Sequence, residues 1–269
     1  MTLLLLAHTA SSEILTEADF ELRGGLIWLK VSIPRAVTEF NFILDSGASA
    51  SVLDAETAKR LELTHGHPVS VAGIGKKTVG YWPVALTSSV GGIPLPKSWL
   101  VTNLKELSKV CLCHVDGLIG ADFFANHRLQ IDYHAKKLRV LKDCATHDQA
   151  LRLPLEWRKG VPFVSFEVNG TPGRFRLDTG CTAALEWVTD RGVEAKSMGK
   201  ISIGLAEMPG QTALVTLTLG DETFPNIEAG IHPKALFPGE AGLLGNGFLS
   251  RYCLTVDSSG GVLYLSRNE

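Results

Sequence analysis

The strongest constraint on this chain is that it repeats itself. Three blocks occur twice, in the same order. The first, Asp19-Phe20-Glu21-Leu22-Arg23-Gly24-Gly25-Leu26-Ile27-Trp28-Leu29-Lys30-Val31, returns as Pro154-Leu155-Glu156-Trp157-Arg158-Lys159-Gly160-Val161-Pro162-Phe163-Val164-Ser165-Phe166. Each copy reads as a strand, a tight Gly-containing turn and a second strand rich in aromatic and β-branched residues. The second block is Phe42-Ile43-Leu44-Asp45-Ser46-Gly47-Ala48-Ser49-Ala50, matched at an offset of 133 by Phe175-Arg176-Leu177-Asp178-Thr179-Gly180-Cys181-Thr182-Ala183. The third starts at Leu118-Ile119-Gly120 and returns at Leu243-Leu244-Gly245. Phe123, Leu129, Ile131, Asp132 and Leu138 then match Phe248, Leu254, Val256, Asp257 and Leu263 at a constant offset of 125. The later copy is thus shorter between the second and third blocks, in loops whose length varies at little cost. The pattern predicts a duplicated unit with its seam in the polar stretch 142–149.

Within each half, short β-prone runs alternate with Gly- and Pro-rich turns. They are 68–72, 79–86 and 98–101 in the first half, and 201–205, 213–219 and 224–229 in the second. Only 50–61 and 120–126 read as helical, and both are short. With 27 Gly and 12 Pro but 3 Met in 269 residues, the expected class is all-β: two homologous barrel-like lobes related by a pseudo-two-fold axis. Residues 19–143 would form the N-terminal lobe and 144–269 the C-terminal lobe. Residues 1–18, opening Met1-Thr2-Leu3-Leu4-Leu5-Leu6, read either as the remnant of a signal peptide or as a plain apolar strand.

Composition removes several function classes. A net charge of −2 without a basic cluster argues against a nucleic-acid partner, which needs a concentrated positive field. No apolar run approaches the ~18–20 residues of a membrane-spanning helix. The five cysteines (Cys111, Cys113, Cys144, Cys181 and Cys253) form no disulfide framework, though one or two bridges would suit an exported protein. Cys111-Leu112-Cys113-His114 lacks a second cluster to complete four metal ligands, and His65 and His67 read as a solvated turn; no metal is expected. A periplasmic or secreted location is favoured over a cytoplasmic one.

The chemistry sits in the second block. A lone Asp-[Ser/Thr]-Gly arises by chance in roughly one chain in ten of this length, and its ordinary reading is an Asx turn. Here both copies end an apolar strand and are followed by small residues. A carboxylate carried by a buried strand into a tight loop is desolvated, which raises its pKa. A two-fold axis would bring the two loops face to face, so that two carboxyl groups at hydrogen-bonding distance share one proton and titrate as a unit. The aspartic-protease dyad is the standard instance of that arrangement. The ionised member can activate a water while the protonated member polarises a carbonyl.

On these residues the chain resembles an aspartic protease of the pepsin and retropepsin type, with two retropepsin-like lobes in tandem. The matching pieces are Asp45-Ser46-Gly47, Asp178-Thr179-Gly180, Leu118-Ile119-Gly120 and Leu243-Leu244-Gly245, and the likeness extends over roughly 20–265. The resemblance implies that Asp45 and Asp178 are the catalytic pair. Ser46 and Thr179 would bond across to the opposite loop, and Gly47 and Gly180 would admit its backbone and donate amides to the carboxylates. It further implies a flap at Gly73, Ile74, Gly75 and Lys76 that closes over substrate. The counterpart, 203–210, contains Pro209 and no Gly-x-Gly, so one mobile flap is expected rather than two. A peptide or protein substrate, no cofactor and an active monomer follow.

The chain also departs from the resemblance. Ala48 fits retropepsins, whereas pepsins carry a hydroxyl there; Cys181 fits neither and reads as a small buried residue. The flap lacks the aromatic tip of pepsins, with Tyr81 and Trp82 following later. The expected activity is endopeptidase; the rival is a bilobal module that binds peptides or small ligands in the groove without cutting them.

Overall fold

The structure, a computed structural model, describes residues 12–267 apart from 35, 65, 74–75, 144–149, 191–196 and 204–205; for 76, 197–203 and 206–209 it describes the backbone alone. The signal-peptide question over 1–11, residues 144–149 of the seam and with them Cys144 therefore lie outside the described residues, as does His65. The chain is all-β, with 56% strand and 9% helix.

The first block folds as anticipated in both halves. Glu21–Arg23 and Leu26–Ser32 pair around Gly24 and Gly25, with φ of 57° and 77°. Leu151–Arg158 and Val161–Val168 pair around Lys159 and Gly160, with φ of 50° and 77°. Two successive positive φ values are what a two-residue type I′ hairpin demands, because that turn's twist matches the flanking strands.

Strands from the two halves share one sheet. Its order is Ile14–Asp19, Lys137–Leu141, Arg128–Asp132, Tyr252–Asp257, Val262–Arg267 and Leu151–Arg158. Where the halves meet, Leu129 opposes Val256, Gln130 opposes Thr255 and Ile131 opposes Leu254. Gln130 thus faces its own counterpart 125 positions later, which is the register a two-fold axis imposes on an antiparallel pair. Leu129, Ile131, Leu254 and Val256 are fully buried there, each contributing about 1.5–3 kcal/mol of apolar burial.

The six strands from Ile14–Asp19 to Leu151–Arg158 are part of a 13-stranded sheet that continues through Leu151–Arg158 into the second half's own strands, while most of the first half's strands lie in a separate sheet. The second half closes a six-stranded barrel: Val161–Val168, Thr171–Asp178, Gly242–Gly245, Leu185–Val188, Glu222–His232 and Ala206–Leu219, which pairs back onto Val161–Val168. The first half forms a ten-stranded sheet. The local topology around each Asp is the same. Phe40–Leu44 runs parallel to Gly117–Ile119, which is antiparallel to Val52–Asp54. Thr171–Asp178 runs parallel to Gly242–Gly245, which is antiparallel to Leu185–Val188. Corresponding aromatics fill corresponding places: Phe42 and Phe175, then Phe123 and Phe248, are all fully buried.

Helices differ from the sequence reading in three places, one of them the short helix Asn246–Leu249, which was not expected. The stretch 50–61 splits into the strand Val52–Asp54 and a helix Ala55–Arg60. Buried Val52 and Leu53 pair with Gly117 and Leu118, and Asp54 caps the helix by accepting the Glu56 and Thr57 amides; tertiary pairing overrides helical propensity there. Lys105–Val110 is a helix that the polar run concealed, opened by Asn103 accepting the Lys105 amide. The expected turn at 120–126 forms as Ala121–Ala125. No helix among the described residues is long and apolar enough to cross a membrane.

Candidate active site

Asp45 follows directly on the strand Phe40–Leu44, and Asp178 is the last residue of Thr171–Asp178. Each strand is locked in parallel register by the third block behind it, so each carboxyl leaves a buried strand at a defined point. The Asp45 amide donates to the Ile119 carbonyl at 2.8 Å, while Asp178 lies opposite Gly245.

The two loops hold each other through a reciprocal set of hydrogen bonds. The Ser46 hydroxyl donates to the Leu177 carbonyl (2.7 Å) and accepts the Thr179 amide (3.0 Å). The Thr179 hydroxyl donates to the Leu44 carbonyl (2.8 Å) and accepts the Ser46 amide (3.0 Å). Both residues are fully buried, so each bond is shielded from water and strengthened accordingly. The glycines permit the approach. A Cβ on Gly47 would sit 2.5 Å from the Asp178 carboxyl, and one on Gly180 would sit 2.5 Å from Asp45 Oδ1.

The two carboxyl groups face one another across the paired loops, each packed against the opposite loop's glycine, and each acts electrostatically on the other. Asp45 Oδ1 also accepts the amides of Gly47 (3.0 Å) and Ala48 (3.1 Å), whereas Asp178 Oδ1 accepts that of Gly180 (2.9 Å). Burial raises the pKa of both carboxyls above the ordinary range. For Asp178, only 5% exposed, burial and then the negative charge of Asp45 push the value to about 8. The loop amides and the Arg176 guanidinium oppose that rise at both groups.

Behind the loops the third block does similar work by different means. The Ala121 amide bonds the Ala48 carbonyl (2.7 Å), and the Asn246 amide bonds the Cys181 carbonyl (2.8 Å). In the first half Ser51 ties the crossing together: its hydroxyl donates to Asp122 (2.7 Å) and accepts the Gly120 amide (3.0 Å). In the second half Asn246 does so. Its side-chain amide donates to the carbonyls of Thr179 (2.7 Å) and Gly25 (2.8 Å), and its oxygen accepts the Tyr133 hydroxyl (2.7 Å).

Of the residues singled out in the sequence, Asp45, Ser46, Gly47, Asp178, Thr179 and Gly180 are therefore brought into one bonded group. The flap residues are placed elsewhere. Gly73 and Lys76 close the hairpin His67–Gly73 with Lys76–Ala85 at an edge of the first half's sheet, and Ile74 and Gly75 lie outside the described residues. The second half forms a hairpin at the corresponding place, Ser197–Ile203 with Ala206–Leu219. Cys181 is fully buried beside Leu243. Among the described residues no disulfide joins the cysteines.

Sequence reasoning missed Arg176, Glu240, Asn246 and Tyr133. Arg176 did leave a signal, a charge inside an apolar strand where the earlier copy has Ile43. Asn246 left a fainter one, a polar residue where the earlier copy has Ala121.

No curated protein matches the chain. A family model described as Aspartyl protease matches residues 30–123, 94 of the 269 residues. That segment, which carries Asp45-Ser46-Gly47 and Leu118-Ile119-Gly120, is similar to the aspartyl proteases.

Proposed function

We propose that the chain is an aspartic endopeptidase in which Asp45 and Asp178 together activate the attacking water. The observation that carries this reading is the meeting of two carboxyls, one from each half, with Asp178 buried and Asp45 half-buried, at loops held together by the reciprocal Ser46 and Thr179 bonds. The family match over residues 30–123 supports it.

Two carboxyls this close retain one proton between them over a wide pH range. The donors around them favour one placement of the charge. Asp45 receives two loop amides against one for Asp178, so the negative charge settles on Asp45 and the proton on Asp178. Asp45 then draws a proton from a water lying against both groups. Asp178 donates its proton toward the scissile carbonyl oxygen as the tetrahedral diol forms. As the diol collapses the C–N bond breaks, Asp45 gives its newly gained proton to the leaving amine, and a diol hydroxyl returns its proton to Asp178, which restores the singly protonated pair. The substrate would be an extended peptide paired through its backbone with strand edges beside the cleft, and the two hairpins are the candidates for those edges. A monomer holds both carboxyls and needs no partner chain.

The test is cleavage of a denatured protein mixture from pH 3 to 9 by wild type, Asp45→Asn and Asp178→Asn. Cleavage by wild type alone is expected. Equal inertness of all three, with a peptide still bound, would replace the protease by a peptide-binding module.

A further inference from the structure

Arg176 stands two residues before Asp178, and its guanidinium is 9% exposed at the residue level. Its Nε and Nη2 both bond the Glu240 carboxylate, the former at 3.0 Å. Its Nη1 donates to the carbonyl of Gly47, in the opposite Asp loop, at 2.7 Å. The guanidinium lies 3.8 Å from the centre of the Phe237 ring and 5.9 Å from that of Phe163. One side chain thus spans from the strand that carries Asp178 to the peptide group beside Asp45.

The first half shows what this pair replaces. At the offsets of the second and third blocks, Arg176 corresponds to Ile43 and Glu240 to Val115. Ile43 and Val115 are buried together in one apolar cluster. The same topology therefore places two members of one apolar cluster at these positions in one half and a buried ion pair in the other. A buried ion pair is usually no more stable than the apolar contact that can replace it, because two charges must be desolvated. Stability alone does not account for the pair, and its reach to Gly47 offers another reason for it.

We propose that Arg176, clamped by Glu240, is a positioning residue for the carboxyl pair, acting through the Gly47 carbonyl of the opposite loop. Holding that carbonyl fixes the orientation of the Asp45-Ser46-Gly47 turn, whose Gly47 amide bonds Asp45. The positive charge also favours the ionised pair over the fully protonated one. The charged groups around the guanidinium are Glu240, Asp45, Asp178 and, on the same strand, Arg174, which donates to the Gly239 carbonyl. Phe163 and Leu243, opposite Arg176 on the adjacent strands, bring no charge.

The inference rests on the protease reading for its kinetic part only, so its test has a second readout. Protein labelled with ¹³C at the Asp carboxyls is titrated, the pair being assigned with Asp45→Asn and Asp178→Asn. Arg176→Ile combined with Glu240→Val copies the first half's apolar residues at these positions. It is expected to move the pair's titration, and the acid limb of kcat/KM, upward by about one pH unit. It should lower kcat by about tenfold or more, with a much smaller change in KM. Glu240→Gln keeps Arg176 but removes its countercharge, so it should move the titration the opposite way. Arg176→Lys should restore the pH position of the limb and not the full kcat. Unchanged carboxyl titration in the folded double variant, or shifts of the same sign in the double variant and Glu240→Gln, would overturn the proposal. If the double variant does not fold, the sign of the Glu240→Gln shift decides. A wild type without peptidase activity would remove the protease reading, while the carboxyl titration would still decide the role of Arg176.

Discussion

The two Asp loops are alike where they touch each other and unlike where they are supported. Across the interface, every hydrogen bond of Ser46 has its counterpart at Thr179, with distances within 0.1 Å. Away from it, the first loop is backed by Ser51 and Asp122 and the second by Asn246 and Tyr133, while the Arg176–Glu240 pair reaches from the second half to the first loop's Gly47. Contact along a two-fold axis forces similarity, because each loop is the other's template. Support from behind has many solutions, and the two halves have adopted different ones. The difference matters electrostatically: a carboxyl pair with equal surroundings would have no preferred site for its charge.

The largest expected effect tests the likeness. Asp45→Asn and Asp178→Asn should each lower kcat/KM by about 10³-fold or more, since general acid–base assistance contributes up to about 10⁴-fold. If one variant kept near-wild-type activity, the carboxyls would not be working as a pair.

The reciprocal bonds come next. Ser46→Ala and Thr179→Ala each strand a buried carbonyl and a buried amide, at about 1–3 kcal/mol per group. Thermal unfolding should therefore show similar losses for both, on the order of 5 °C or more. A clearly larger loss from one would show that the loops do not support each other equally.

Acid–base linkage sharpens the contrast between carboxyls. The Asp178 pKa is raised in the fold to about 8, above its unfolded value, so the native state binds the extra proton. The associated stability is fully present below the unfolded carboxylate pKa and declines as pH rises through about 8. The melting temperature should fall by a few degrees from pH 5 to 9 for wild type, and less steeply for Asp178→Asn. A wild-type curve rising over that interval would contradict the buried, shared proton.

The smallest effect concerns the support unique to the second half. Tyr133→Phe removes the donor to Asn246 and should cost about 1 kcal/mol in a denaturant titration, with kcat little changed. A large fall in kcat would mean that Asn246 controls the loop more tightly than its three hydrogen bonds imply.

How much of this was legible in the residues follows from what kind of interaction each feature depends on. The hairpins around Gly24-Gly25 and Lys159-Gly160 are local, and positive φ restricts which residues can occupy them. The strand-ending Asp residues were visible because an apolar run ending in a small polar loop is a short-range pattern. The helix at 55–60 was misjudged in extent, since Val52 and Leu53 join a sheet whose partner residues lie 48 to 66 positions away. Arg176 looked like an irregularity in a strand. Its partners, Glu240 and Gly47, are 64 and 129 residues distant, and no local pattern predicts them.

By itself, then, the sequence pointed to two similar β units, to the carboxyl that each would present, and to the small residues around it. Those properties reside in periodicity, turn chemistry and repetition along the chain. Only the tertiary structure decided that the two carboxyls meet, that burial raises both pKa values, and that the two loops are propped differently. Each of these depends on groups far apart in sequence meeting in a water-poor interior. There a single charge or amide counts for far more than it does along an extended chain.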